Sequence, residues 1–426
     1  MFQLNFKDLH INIKVRIFVL LLQSTTSNMI LPFMSIYFSI HYGVKLAGLI
    51  MLFTVIGSIL AGFYGGYLAD QFGRKKILVI SEFIRFLTIG FMALTNSPLF
   101  TIPIITMVLL FINNSCFGLA NPAREAMIID VSTPETRKFI YSLTYWVNNF
   151  SLAIGTLLGA FLFNKYFFYI LLVTTVVILT TCIVMYYFIE ETRPQEFDNK
   201  KTKSKIINIF SSYRDVFKDK LFLKFFIASL LTLGIELQLG YYIGIRLANE
   251  FKAQTLINIL GLNITLNGVE MYGVLRTENT ILVIILAFLV AKLTKSLSDQ
   301  RSLYMGILLF TFGYMVLGVS NNAWVLLLST VILTIGELMY VPIKRVLLAD
   351  VVKESMRSRY MAVNSLTFRG GLVMGSLGIT LGALIPAWGM SIIYGLMGFV
   401  SILLFSKVYK GKKEINLINL KGSAKL

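Results

Sequence analysis

Apolar residues in this chain come in blocks of membrane length, and that grouping decides most of what it can fold into. Residues 151–189 hold a single charged side chain, Lys165, in nearly forty positions. A helix needs about 20 mostly apolar residues to cross the hydrocarbon core of a bilayer. Such stretches recur at 15–38, 44–69, 77–95, 102–124, 139–163, 167–189, 222–245, 269–293, 302–320, 324–345, 359–385 and 388–409, numbered below as spans 1 to 12. Of the 426 residues, 14% are charged and 56% hydrophobic. A typical soluble domain has about 25% charged residues, and one water-soluble core of this length cannot hold the apolar excess. A soluble enzyme, a disordered chain and a fibrous protein are excluded. An all-α polytopic membrane protein remains. Pro32, Pro122 and Pro342 fall inside spans, which membrane helices tolerate because neighbours re-satisfy the freed backbone groups.

The formal net charge is +18, from 39 Lys and Arg against 21 Asp and Glu. In a membrane protein such an excess reads first as topology rather than as nucleic-acid binding. The even connections carry Arg74-Lys75-Lys76, Arg137-Lys138, a cluster from Arg193 to Lys224, Lys292/Lys295/Arg301 and Lys344/Arg345/Lys353/Arg357/Arg359. The odd ones hold little beyond Lys45, Lys165, Arg246 and Lys252, and both termini are basic, with Lys7, Lys14 and Arg16 at one end and Lys407 to Lys425 at the other. The positive-inside rule therefore places both termini in the cytoplasm. Cys116 and Cys182 lie inside apolar segments and give no disulfide, metal or redox spacing. The first apolar segment is of full length with no small-residue cleavage site behind it, so no cleavable signal is expected. No cofactor or metal is expected; the partners are a small-molecule substrate, protons and the lipid bilayer, and the chain is expected to be a monomer.

The polar stretch 190–220 separates six spans from six, as a linker would, leaving halves at 1–189 and 221–426. An internal repeat supports the division. Pro122-Ala-Arg-Glu-Ala-Met-Ile-Ile-Asp130-Val131 returns 220 residues later as Pro342-Ile-Lys-Arg-Val-Leu-Leu-Ala-Asp350-Val351, and at the same offset Arg137 matches Arg357 and Gly155 matches Gly375. Two pseudo-symmetric six-helix halves around a central cavity are the architecture of transporters with parallel repeats.

After span 2 the chain reads Gly66-Tyr-Leu-Ala-Asp70-Gln-Phe-Gly73-Arg74-Lys-Lys. The glycines permit close packing and a tight turn, and Asp70 can brace that turn by charge-assisted bonds. The spacing resembles the signature loop of the major facilitator superfamily, and the length, spans and repeat fit that family from end to end. The resemblance implies a conformational latch in which Asp70 and Arg74 brace the cytoplasmic side, with Asp130 as partner. The copy after span 8, from Lys292 to Arg301, keeps Asp299 and Arg301 but lacks the glycines. Within the family, the drug/proton antiporter branch and its LmrP-like members are the closer resemblance. It is carried by Ala126-Met-Ile-Ile-Asp130, Tyr145-Trp146-x-x-Asn149-x-Ser151, Gly155-x-x-x-Gly159-Ala160 and Gly336-Glu337-x-x-Tyr340-x-Pro342. Two departures from the wider antiporter pattern, Asn114 in place of a span-4 Arg and Gly155-Thr156 in place of Gly-Pro, are shared by LmrP-like proteins. A third is not: the acidic residue expected before Tyr-Trp is Thr144 here.

An ionisable residue in mid-membrane costs about 2.5–3.5 kcal/mol on insertion scales, so each needs a reason. Glu337, between Gly336 and Pro342, is the leading proton carrier; packing and direct contact with a cationic substrate are its other readings. Glu236 in span 7 is a second candidate, with Gln238, Tyr241 and Tyr242 nearby. Arg276 is expected to pair with Glu278 or Glu236, and Arg369 either to pair with Glu337 or to bind an anion. Glu82 and Arg85, three apart on one helix face, are expected to form a local pair. Span 1 carries Gln23 to Asn28 at mid-depth, too polar to face lipid, span 4 carries Asn113-Asn114 and span 5 Tyr145 with Asn148-Asn149. These, with Thr144, Tyr241, Arg276 and Arg369, are the expected substrate cavity. By resemblance spans 1, 4, 7 and 10 line the cavity.

These residues point to a secondary active exporter of amphipathic or cationic compounds, of the multidrug efflux type, exchanging them for protons by alternating access. The drive is about 1.4 kcal/mol per pH unit and about 2.3 kcal/mol per charge per 100 mV. The competing expectation is a proton-coupled carrier or importer of a defined solute such as a peptide, sugar or anionic metabolite, or a lipid flippase. No nucleophile–base pair, phosphate loop or metal cluster suggests an enzyme, and a sensor or scaffold lacks the apolar centre or appended domain it would need. A bacterial cytoplasmic membrane is the location implied by resemblance.

Overall fold

The structure, a computed structural model, describes residues 9–192, 216–259, 262–353 and 356–423. Within the linker expected at 190–220, residues 193–215 lie outside the described residues, as do Lys7 and Lys425 of the basic termini. The twelve spans are all helical. Among the described residues nine helical stretches are long and apolar enough to cross a membrane, and Phe139–Phe188 contains two spans in one run. That run bends at Tyr166, whose φ of −126° and ψ of 25° leave the helical region beside Lys165. The two spans outside that set are the helices Asp299–Leu317 and Arg357–Gly382.

Helix ends follow from local chemistry. Gly73 has φ +100°, a conformation that side chains rarely adopt, and it divides Val44–Phe72 from Arg74–Leu94. Thr133 and Thr136 form a capping box at the start of the helix Pro134–Phe188, and Asn322 and Ser298 cap their helices through side-chain oxygens. Pro122 and Pro342 sit inside the helices Pro103–Asp130 and Ala323–Val351. Spans 1 and 7 are both broken. Span 1 runs Ile11–Asn28, a single turn Leu31–Phe33, then Met34–Tyr42; span 7 runs Lys220–Glu236, a turn Leu237–Gly240, then Tyr242–Glu250. Discontinuous helices free backbone groups at membrane depth, and transporters place ligand sites at such breaks.

Two compact units emerge: Met1–Phe197 with Val269–Thr280, and Asp198–Gly268 with Ile281–Leu426. Span 8 (Gly268–Thr294) is thus divided, its first turns packing in the first unit. There Tyr272 meets Phe33 edge-on with ring centroids 5.5 Å apart. Small residues let backbones approach, as membrane interfaces require. A Cβ on Gly65 would stand 2.0 Å from the Leu119 carbonyl oxygen, and one on Gly118 2.2 Å from that of Ser58.

In the second unit an antiparallel hairpin pairs Gln254–Ile259 with Leu262–Leu266. The sequence reading did not foresee it, although Thr255-Leu-Ile-Asn-Ile and Leu262-Asn-Ile-Thr-Leu266 carry the β-branched residues of strands. Gln254 ties the hairpin to span 10, donating to the Asn321 carbonyl (2.5 Å) and accepting from Ala323 N–H (3.0 Å).

Asp219 starts span 7. Its Oδ1 accepts from the backbone of Leu221 (3.0 Å) and Phe222 (3.1 Å), its Oδ2 accepts from the Tyr360 hydroxyl (2.7 Å), and Lys353 lies at 3.7 Å. Burial works against ionisation here, but the Tyr360 hydroxyl, the two N–H groups and Lys353 outweigh it and hold the carboxyl below its usual range. A depressed pKa stabilises above the unfolded value and loses that contribution as pH falls through the folded one. Asp219→Asn should therefore melt lower than wild type at neutral pH. The difference should shrink below about pH 4, read as thermal midpoints against pH in detergent.

Candidate functional site

Glu82, on span 3, is fully buried at 0% exposure, yet the sequence gives it one nearby partner. A buried carboxylate offers about four acceptor positions, more than a single arginine three residues away can fill. The expected Glu82–Arg85 pair forms, with Arg85 Nη1 at 2.9 and 2.8 Å from the two carboxylate oxygens. It is joined by Arg124 from span 4, which pairs with Oε1, and by Gln23 from span 1, whose Nε2 donates to Oε2 at 3.0 Å and to Thr181 of span 6 at 2.7 Å. Gln23 Oε1 accepts from Arg85 (3.3 Å), and so does Asn113 Oδ1 (3.3 Å), while Asn113 donates to Asn114 (3.3 Å). The Phe117 ring lies 5.2 Å from the Arg85 guanidinium and 4.7 Å from that of Arg124. The pairing is thus a four-span network, and the polar atoms of Gln23 and Asn113 are directed into it.

The loop after span 2 is braced at long range. Arg74 forms an ion pair with Asp130, and Thr192 donates to the same carboxylate at 2.7 Å. Glu191, just past span 6, accepts from the backbone N–H groups of Arg74 (2.9 Å) and Lys75 (3.0 Å). It therefore caps a helix whose N-cap residue, Gly73, has no side chain to do so, and favours the positive end of the helix dipole. Sequence reading missed Glu191, because nothing local links it to residue 74. Asp70 and Gly66 are half-buried, and a Cβ on Gly66 would make only an ordinary contact with Pro122 at 3.7 Å.

On span 5, Tyr145 and Trp146 are each 59% exposed, Asn148 is exposed, and Thr144 and Asn149 are half-buried, with Asn149 donating to the Tyr145 carbonyl at 2.8 Å. Asn28 ends the first segment of span 1, and its Cβ would lie 2.7 Å from a Cβ on Gly155. Arg276 is half-buried beside Tyr272, on which its charge acts. Glu278, one turn short of the point where span 8 changes unit, has a buried Oε2 with no hydrogen-bond partner among the described residues. The sequence offered Glu278 only as a partner for Arg276.

In the second unit Glu236 closes the first segment of span 7, and its carbonyl accepts from the Tyr314 hydroxyl of span 9 at 3.0 Å. Phe310 bridges from Tyr314 (4.8 Å) to the fully buried Tyr340 (5.1 Å), one turn below Glu337. Lys344 folds back over the Tyr340 ring, its Nζ 5.1 Å from the centroid. The charges of Glu236 on span 7 and Glu337 on span 10 both act on Lys344 and on Tyr340, and that of Arg345 acts on Lys344. Tyr241 follows the break in span 7 and its ring covers Gly375, with a Cβ there only 2.8 Å away. Arg369 is half-buried on span 11. Among the described residues no three His, Cys, Asp or Glu side chains converge as metal ligands.

The sequence profile of the Major Facilitator Superfamily matches residues 17–269 and 251–416. The chain belongs to that superfamily. It is a multi-pass membrane protein that carries a small solute across a bilayer by secondary active transport, and it is not an enzyme. The Na(+), Li(+), K(+)/H(+) antiporter of Planococcus maritimus is 29% identical over 410 residues, 94% of this chain and 97% of that one. Multidrug resistance protein MdtH of Proteus mirabilis is 31% identical over 101 residues, 24% of each. A solved POT family transporter in complex with 5-aminolevulinic acid shares the fold, with a TM-score of 0.71 at 15% identity over 95% of this chain and 96% of that one.

Proposed function

We propose that the protein is a proton-coupled carrier of a defined small solute, and that the solute is a small cation exchanged for protons by alternating access. The observation that supports this reading is that Glu236 on span 7 and Glu337 on span 10 lie in one unit, near enough for both charges to act on the Tyr340 ring and on Lys344. Carboxylates at membrane depth can take up a proton and a small cation in turn as their surroundings alternate. The printed activity of the Planococcus maritimus relative favours inorganic monovalent cations as the class. The halves 1–189 and 221–426 are taken to move about the 190–220 linker, with both termini cytoplasmic in a bacterial membrane. Asp70, Arg74 and Asp130 act as the latch, Arg276 and Arg369 serve the solute path, and Gln23 and Asn113, expected there from the sequence, are instead bonded within the Glu82 network.

A second reading, export of amphipathic compounds in the manner of LmrP-like antiporters, draws on the stretch shared with MdtH and on the exposed Tyr145 and Trp146. Both are tested in liposomes loaded with a pH-sensitive dye. Wild-type protein should move protons when Na⁺, Li⁺ or K⁺ is added against an imposed pH gradient, and Glu337→Gln should abolish the signal. Equal transport by Glu337→Gln would sink the coupling role. A response to ethidium but to none of the alkali cations would transfer the case to the second reading.

A further inference from the structure

Span 8 begins at Gly268, and Glu278 lies ten residues into the part of it that packs in the first unit. At 1.5 Å per residue that is about 15 Å along the axis, against a hydrocarbon core of about 30 Å. Spans 1 and 5 hold this part of the helix. Tyr272 meets the Phe33 ring edge-on, the Thr277 hydroxyl donates to the Ala153 carbonyl at 3.3 Å, and a Cβ on Gly273 would run into Ala160. Tyr272, Gly273 and Thr277 are buried. So is Oε2 of Glu278, which has no hydrogen-bond partner among the described residues.

The cation that the sequence offered is on the wrong side. With 3.6 residues per turn, Arg276 points about 160° away from Glu278 around the helix. It lies instead with Tyr272, one turn earlier, on which its charge acts. The neighbouring spans supply no substitute. Residues 17–40 of span 1 and 139–163 of span 5 contain no Lys, Arg, His, Asp or Glu, and their titratable groups are Tyr37, Tyr141 and Tyr145. At the start of span 8, Gly268 abuts Leu247 of span 7, where Arg246 is already bonded to Glu250 (3.3 Å) and Asn321 (2.7 Å). Among the described residues no charged group acts on Glu278. Glu82 of the same unit is the contrasting case, locked among Arg85, Arg124 and Gln23.

A carboxylate oxygen sealed from water without a donor or a counter-ion is costly as a bare charge. A hard metal cation would relieve it only with several oxygen ligands at once, and no three His, Cys, Asp or Glu side chains converge among the described residues. A proton needs a single oxygen. We infer that Glu278 is a proton-carrying carboxyl of the first unit, which holds the proton on Oε2 while that oxygen is sealed and releases it when span 8 shifts and water reaches it. This deepens the exchange reading above and rests on it, adding an acid in the first unit to Glu236 and Glu337 in the second.

The test compares full-length wild type, Glu278→Gln and Glu278→Asp, scoring Na⁺- and K⁺-evoked proton movement in liposomes from pH 6 to 9 and thermal midpoints in detergent. Gln has the shape of a neutral carboxyl but has no proton to release. Glu278→Gln should therefore keep the wild-type midpoint and lose the evoked proton movement, while Glu278→Asp retains part of it. Dicyclohexylcarbodiimide, an apolar reagent that adds to protonated carboxyls, gives a readout that needs no transport. Peptide mass spectrometry should find Glu278 modified in native wild type at pH 6 and progressively less so toward pH 9. Transport by Glu278→Gln with an unchanged pH profile would overturn the inference. A Glu278→Gln protein that melts well below wild type would do the same, since that is the mark of a carboxylate paired with a cation. If wild type moves no protons with either ion, the exchange reading fails by itself, and the labelling still decides Glu278. Modification that fades as pH rises supports the proton-carrying role; modification that is absent or indifferent to pH removes it.

Discussion

Glu82→Gln is expected to lower the stability of the protein more than any other single substitution in the first unit. The change leaves Arg85 and Arg124 in one buried site, close to the same Phe117 ring, with no carboxylate between them. Removing one partner of a buried ion pair costs about 3–5 kcal/mol, because the remaining charge stays desolvated. Here two charges remain and repel each other, which places the effect at the upper end. Gln23 also loses a charged acceptor, and its bond to Thr181 joins span 1 to span 6. The measurement is the thermal midpoint of the purified protein in detergent, with monodispersity as a second readout. The double variant Glu82→Gln/Arg124→Gln removes the surplus charge and should recover part of the loss, a coupling that additive effects would not give. A Glu82→Gln protein within about 0.5 kcal/mol of wild type, the range of ordinary surface changes, would contradict the network's role.

A second large effect is expected from one methyl group at Gly65. Its Cβ would stand 2.0 Å from the Leu119 carbonyl oxygen, a backbone atom of span 4 that no rotamer change can move aside. Gly118 meets the Ser58 carbonyl in the same seam at 2.2 Å, so spans 2 and 4 touch backbone to backbone at both points. Overpacking costs about 1–3 kcal/mol where side chains can shift, and more is expected where helices must part. Gly66 provides the control, because a Cβ there meets nothing closer than Pro122 at 3.7 Å. Gly65→Ala should therefore give markedly less folded protein and a lower thermal midpoint, while Gly66→Ala stays near wild type. Equal behaviour of the two would mean that the close approach does not hold the seam.

These two sites mark how far sequence reading reached. The glycine-flanked turn at 66–76 was legible because its cause is local: Gly73 takes a positive φ that the spacing already implied. The Glu82–Arg85 pair was legible for the same reason, being one turn of one helix. Its extension to Arg124, Gln23 and Asn113 was not, since those residues come from other spans, and neither was the capping of span 3 by Glu191, more than a hundred residues away. Arg124 was given no role in the sequence and Lys344 was counted only for topology; what each side chain touches, the Phe117 ring and the Tyr340 ring, comes from the structure. The hairpin at 254–266 was overlooked because hydropathy, the dominant signal elsewhere, says little in a short connection.

What the sequence by itself determined is where the chain resides and how often it crosses. Each span must keep apolar side chains over the thickness of the bilayer and satisfy its own backbone bonds, so the requirement is met segment by segment and can be read along one dimension. The repeat at an offset of 220 and the loop after span 2 are visible in the same way. Which charges are locked into networks was decided only by the tertiary structure. Coulomb interaction in a low-dielectric medium depends on approach within a few ångströms. Helix packing brings Arg124 to Glu82 across the bundle, and Glu236 of span 7 near enough for its charge to act on Lys344 of span 10, from positions whose separation along the chain gives no hint of it.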